Sequence, residues 1–109
     1  METNKLPIGI WTWYSVEDHL LFSDSFYQST GIAKDWHYKF TTFLEIIHGN
    51  DLLQFCHDIE AMLRGAEPMW ITYRIVKPNG SDQKVECFVI SLSTEFKDVF
   101  DITGVCYEG

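Results

Sequence analysis

Basic residues are scarce in this chain of 109 residues. Lys and Arg number 8 against 16 Asp and Glu, for a net charge of −8. That balance argues against nucleic acid and against docking on anionic lipid, because both need clustered Lys and Arg. Long apolar runs are missing too. No stretch approaches the ~18 residues of a spanning helix, and METNKLPIG at the start has no secretory h-region, so no membrane contact by this chain is expected. Cysteines are few and odd in number. Cys56, Cys87 and Cys106 show no CxxC spacing, which argues against a disulfide framework or a zinc site and fits a reducing cytoplasm. Low-complexity runs, repeats and linkers are absent. What is present is a 46% hydrophobic, 16% aromatic composition that excludes intrinsic disorder, over a length suited to a single domain at 1–109.

The periodicity is strand-like, then helical, then strand-like. IGIWTWY is aromatic and β-branched and reads as a strand, with SVEDH as a turn and a second strand over 19–23. DSFYQSTG reads as a short helix, N-capped by Ser23 or Asp24 and closed by Gly31. Phe40, Phe43, Leu44 and Ile47 recur at helical spacing. His48-Gly49-Asn50-Asp51 interrupts them, and Asn50 or Asp51 is expected to cap a longer helix, LLQFCHDIEAMLRG. Its stripe is Leu52, Phe55, Cys56, Ile59, Met62 and Leu63. Strands follow at 69–77, 84–94 and 99–107, the first two joined by the Asn79-Gly80 hairpin signal. The order β-β-α-α-α-β-β-β is an α+β fold with helices on one face of an antiparallel sheet.

Alternation assigns the sheet faces. Met69, Ile71, Tyr73 and Ile75 form the apolar phase of their strand and should face the helices. In the next strand both phases are apolar, with Val85, Cys87 and Val89 against Phe88, Ile90 and Leu92. A half-solvated sheet should alternate cleanly, so a partner chain or terminal segment is expected to cover the outer face. The interface is assigned to Trp11, Phe88, Ile90, Leu92 and Tyr107.

These pieces together resemble the PAS domain family, in its branch with a Trp-rich first strand. The resemblance rests on GIWTWY at 9–14, SFYQSTG at 25–31, IIHGND at 46–51, TYRIVKPNGS at 72–81 and ITGVCYE at 102–108, and it covers essentially the whole chain. The family's His-Pro-Asp-Asp turn is His48-Gly49-Asn50-Asp51 here. Glu108 stands where an Asp usually leads to a downstream helix, and Asp101-Ile102-Thr103 is not that motif. The resemblance implies a PAS-like five-stranded antiparallel sheet. It also implies a sensory and protein-interaction module of a signal transduction protein, such as a two-component sensor kinase or a cyclic-dinucleotide enzyme. A homodimer through the outer sheet face, a ligand between sheet and long helix, and a kinase or cyclase output domain in the parent protein come with it. Either that output domain has been cut away or the coupling differs.

Sharper chemistry finds little support. Cysteinyl-flavin photochemistry of the kind this fold resembles needs a Cys between the second strand and the long helix, and residues 24–48 contain none. For haem, the resemblance points to a His on the long helix. His57 lies there, but beside the apolar stripe and about one turn beyond the ligand position, which falls nearer Leu53 or Gln54, with Met69 where an opposing ligand would sit; a solvated His57 and a core Met69 are expected. His48 with Asp51 and His57 with Glu60 are i, i+3 pairs, too few for a metal site, and His19 and His37 lie in separate segments. Glu17, Asp18, Asp24, Asp58 and Glu60 fall on polar faces, so no catalytic residue is assigned. Arg74 is expected to pair with Glu86 across the hairpin, and Cys56 to be an inert thiol.

A ligand pocket would be lined by Phe43, Leu44 and Ile47 from the middle helix and by Phe55, Cys56 and Ile59 from the long helix. Met69, Ile71 and Tyr73 would join from one strand. The resemblance adds Cys87 and Val89 from the next. A filled core is the equal alternative. Any ligand would be small and apolar, with Tyr73 giving a hydrogen bond. Two rival functions remain: a small α+β enzyme of the isomerase or hydratase type, which needs an ionisable group in the cavity, and a ligand-free dimerisation scaffold.

Overall fold

The computed structural model describes residues 5–34 and 38–109; His37 lies outside them. Strands β1 (Pro7–Tyr14) and β2 (His19–Phe22) come first. Helices α1 (Asp24–Thr30), α2 (Phe40–Leu44) and α3 (Leu52–Leu63) follow, then strands β3 (Met69–Val76), β4 (Asp82–Ser93) and β5 (Phe100–Glu108). The described strands form one antiparallel sheet in the order β2-β1-β5-β4-β3. The expected α+β architecture holds. Chain order and sheet order differ because β5 inserts between β1 and β4, so the first and last parts of the chain meet at the sheet centre.

Local chemistry explains the joints. The Ser23 hydroxyl accepts from the backbone N–H of Phe26 at 3.4 Å, capping α1, and also from the N–H of Ile10 at 3.0 Å, fastening the helix start to β1. Gly31 closes α1 at φ 71°, where a side chain would be strained. The helical periodicity over 40–47 outlasts the helix: α2 ends at Leu44, and Ile47 bridges to Ile75 at the edge of β3.

The cap expected at Asn50 or Asp51 is different in kind. His48 Nδ1 accepts from the Asn50 N–H at 3.1 Å and caps a 3-10 turn at Gly49–Asp51, while Asp51 makes no side-chain cap bond to α3. Its carboxylate instead accepts from Arg74, which overturns the expected Arg74–Glu86 pair. Register decides this: Arg74 stands opposite Lys84, Glu86 stands opposite Thr72, and Glu86 pairs with Lys5.

The cysteine expectation is also corrected. Cys87 and Cys106 are directly opposed in β4 and β5, with Cα atoms 4.1 Å apart, and are joined as a disulfide. Sequence spacing could not show this, because the strand register creates the proximity.

One side of the sheet faces α3 and holds the core. Ile71, Tyr73, Ile75, Val85, Cys87, Val89, Ile102 and Cys106 point to it from β3, β4 and β5, and Phe55, Ile59 and Met62 of α3 pack on them.

Candidate functional site: the inner core and the outer sheet face

The inner phase is a cluster of rings around one phenol. Tyr73 lies 4.9 Å, centroid to centroid, from Phe55 and 6.1 Å from Phe43; Phe43 lies 5.8 Å from Phe55 and 6.2 Å from Trp11. The Tyr73 hydroxyl is 3.3 Å from Cys87 Sγ. Because that sulfur is disulfide-bonded, the hydroxyl must be the donor. Burial pushes the Tyr73 pKa up, since the phenolate would be left in an apolar core. The indole N–H of Trp11 lies near the phenol yet has no hydrogen-bond partner among the described residues.

Of the residues assigned to a pocket, Phe43, Ile47, Phe55, Ile59, Ile71, Tyr73, Cys87 and Val89 are buried in this one cluster. Leu44 and Met69 pack against it half-buried. Cys56 is a free, half-buried thiol. The surface cleft of about 480 Å³ lies elsewhere, lined by Leu6, Pro7, Ile8, Ser29, Lys77, Asp82, Gln83, Lys84, Glu108 and Gly109. His57 is exposed on α3, and Met69 stands opposite Val89. His48 lies 3.7 Å from Asp82, and no cluster of three His, Cys, Asp or Glu suited to a metal ion occurs among the described residues. Among those residues no carboxylate, histidine, lysine or arginine is buried; the buried phenols are Tyr38, whose hydroxyl donates to the Ala33 carbonyl, and Tyr73, the one set between sheet and α3.

The outer face carries the surplus apolar residues. Register aligns Ile10, Val105, Phe88 and Trp70 in one row across β1, β5, β4 and β3. Trp70 is 58% exposed, Ile10 47%, Leu92 39% and Phe88 37%. The Trp70 ring lies 5.3 Å from Phe88 and 5.9 Å from Tyr107, and Ile90 and Tyr107 are half-buried.

Trp11 does not belong to this face. It is 2% exposed, in the core, and the neighbours that turn outward are Ile10 and Thr12. Two features explain the correction. The β1–β5 register shifts between Pro7 and Gly9, which resets the phase of the strand. Gly104, opposite Trp11, leaves room for the indole: a Cβ there would come within 2.7 Å of Trp11 Cε2. A glycine inside a strand is the sequence signal that would have found this contact. Sequence reasoning also missed Ile10 and Trp70 as members of the outer patch.

Electrostatic ties fix the edges of the core. The Asp51 carboxylate accepts from the Arg74 backbone N–H at 2.8 Å, from Nε at 2.9 Å and from Nη2 at 3.1 Å. The Arg74 side chain holds the Asp51 pKa below the usual carboxylate range, and Asp51 in turn raises that of Arg74. Asp18 accepts from the Phe40 N–H at 3.0 Å and from Trp13 Nε1 at 2.9 Å; the Phe40 N–H is the main cause of its lowered pKa.

Many solved structures are similar to this chain, among them the following three. A sensory box histidine kinase/response regulator from Burkholderia thailandensis aligns with a TM-score of 0.73 at 18% identity, covering 92% of this chain and 75% of that one. The N-terminal domain of a diguanylate cyclase with PAS/PAC sensor from Marinobacter aquaeolei aligns at 0.76 and 12% identity, over 92% and 93%. Drosophila melanogaster Cycle PAS-B, with bound ethylene glycol, aligns at 0.76 and 13% identity, over 93% and 99%. No protein-family model and no curated protein matches the sequence. No helix among the described residues is long and apolar enough to cross a membrane. With the strand order, the helix arrangement and these alignments in agreement, the chain has the PAS fold.

Proposed function

We propose that this chain is a sensory and protein-interaction module of a signal transduction protein, in which the outer sheet face joins two copies. The observation that carries this reading is the row Ile10, Val105, Phe88 and Trp70, apolar across four strands on the side away from α3. Exposed apolar patches of this kind mark interaction surfaces. An apolar row on a sheet face can pack against its own copy about a two-fold axis, the usual symmetry of a homodimer. The structural neighbours named for a histidine kinase and a diguanylate cyclase support a kinase or cyclase output domain in the parent protein.

Sedimentation equilibrium of the chain and of a Phe88→Glu variant tests the dimer. The expected result is a dimer for the former and, for the latter, a monomer with the same far-ultraviolet circular dichroism and a melting temperature independent of concentration. A strict monomer at high concentration in both overturns it.

A second reading has its own observation. The unpartnered Trp11 indole N–H, buried near the Tyr73 hydroxyl, offers a hydrogen bond to a small, mostly apolar ligand held between sheet and α3. Such a ligand would displace part of the ring cluster formed by Phe43, Phe55 and Tyr73. Native mass spectrometry of freshly purified protein checks it: an adduct lost in a Trp11→Phe variant supports the ligand, and bare protein in every preparation removes it.

A further inference from the structure

We infer that Cys87 and Cys106 form a redox site, closed by a small-molecule disulfide and opened by a dithiol, whose state is transmitted to the outer sheet face. The site is built by register rather than by a sequence motif. The two residues are direct partners on neighbouring strands in the middle of the sheet, and both side chains are fully buried.

Both redox forms have partners waiting. In the closed form the Tyr73 hydroxyl donates to Cys87 Sγ at 3.3 Å. In the open form the Cys106 S–H has the Gly104 carbonyl as acceptor, 3.8 Å from its sulfur, and the Cys87 thiol keeps Tyr73. Neither state leaves the Tyr73 hydroxyl or a thiol of the pair without a partner, so the fold tolerates both.

The route outward is short. Non-bonded sulfurs cannot stay at bonding distance, and a close-packed core has no slack to absorb their separation. The flanking register pairs are Phe88 with Val105 and Glu86 with Tyr107, all carried by β4 and β5. Phe88 and Val105 are the centre of the exposed row. Opening the bond therefore shifts the two strands that hold that row. This holds whether or not the face binds a second copy.

The chemistry balances. Closing removes two electrons and two protons from the Cys87 and Cys106 thiols and makes the S–S bond, while the small-molecule disulfide is reduced to two thiols. In reverse, a dithiol thiolate attacks one sulfur, forms a mixed disulfide and then cyclises, leaving both cysteines as thiols. Because both sulfurs are buried, exchange waits for local parting of β4 and β5 and runs over minutes to hours.

The test counts thiols and reads the surface. The folded chain is equilibrated with oxidised glutathione or with dithiothreitol, acid-quenched, denatured and alkylated. Of the three cysteines, Cys56 alone lies outside the pair and can itself exchange with glutathione, so at most one alkyl group is expected after oxidation and three after reduction. In a Cys56→Ser variant the expected counts are none and two. The amide signals of Phe88, Val105 and Tyr107 should move between the two states while those of Gln28 and Ser29 in α1 stay in place. A Cys87→Ala/Cys106→Ala double variant should show no such movement. If that variant does not fold, the Cys56→Ser protein supplies both readouts. Equal thiol counts in the two buffers, reduction that occurs only with global unfolding, or outer-face signals that do not move would each overturn the inference.

Discussion

Asp51 holds Arg74 by three contacts at once, through its backbone N–H, Nε and Nη2. One carboxylate thus ties the start of α3 to the edge strand β3. Asp51 titrates below its unfolded value of ~3.9. Its contribution to stability is full above that value and is lost as pH falls from about 4 through the folded-state pKa. An Asp51→Asn variant should therefore melt several degrees lower at pH 7, and the two melting curves should converge below pH 4. Thermal unfolding by circular dichroism across that range checks the convergence.

Tyr73 predicts the opposite arm of the pH profile. Its folded-state pKa is raised by burial, so the folded protein keeps the proton after the unfolded chain, near pH 10, has lost it. Stability should fall as pH rises beyond 10, and a Tyr73→Phe variant should fall less steeply. At neutral pH the same variant loses the bond to Cys87 Sγ and should cost about 0.5–1.5 kcal/mol, measured by urea titration.

Gly104→Ala should destabilise the protein by about 1–3 kcal/mol, the range for overpacking a filled core. The added methyl would meet Trp11 Cε2 at 2.7 Å. Combining it with Trp11→Phe should cost less than the sum of the two single changes, because the smaller ring leaves the glycine face free. Chemical denaturation of the four proteins completes the cycle.

Ser23→Ala removes the acceptor for two backbone donors, Ile10 and Phe26, and should cost about 1–2 kcal/mol. Amide exchange at Ile10 should speed up along with that at Phe26. Exchange that changes at Phe26 alone would mean that the tie to β1 contributes nothing.

The sequence made the element order legible because each part obeys one period. The α3 stripe of Phe55, Ile59 and Met62, the inward phase Ile71-Tyr73-Ile75 and the outward Phe88-Ile90-Leu92 are all where alternation puts them. What escaped depends on neighbours far along the chain. Trp11 turned inward because β1 slips register at Gly9 and because Gly104 stands opposite. Cys87 met Cys106, and Arg74 met Asp51 rather than Glu86, through strand pairing and helix placement that local spacing does not encode. Trp70 alternates with Thr72 and Arg74, so its own strand does not mark it as part of an apolar patch, and only the cross-strand row shows what it belongs to.

The edges of this sheet have their own significance. Leu20 of β2 donates its N–H to the Tyr38 carbonyl. On the far side, the His48 N–H goes to Arg74 O and the Val76 N–H to Ile46 O, with Ile47 bridging Ile75. Fibril growth needs an open ladder of main-chain donors and acceptors, and at these positions the rungs are already taken. A concentrated solution can therefore bring sticky sheet surfaces together face to face without inviting another copy to zip onto these stretches edge to edge.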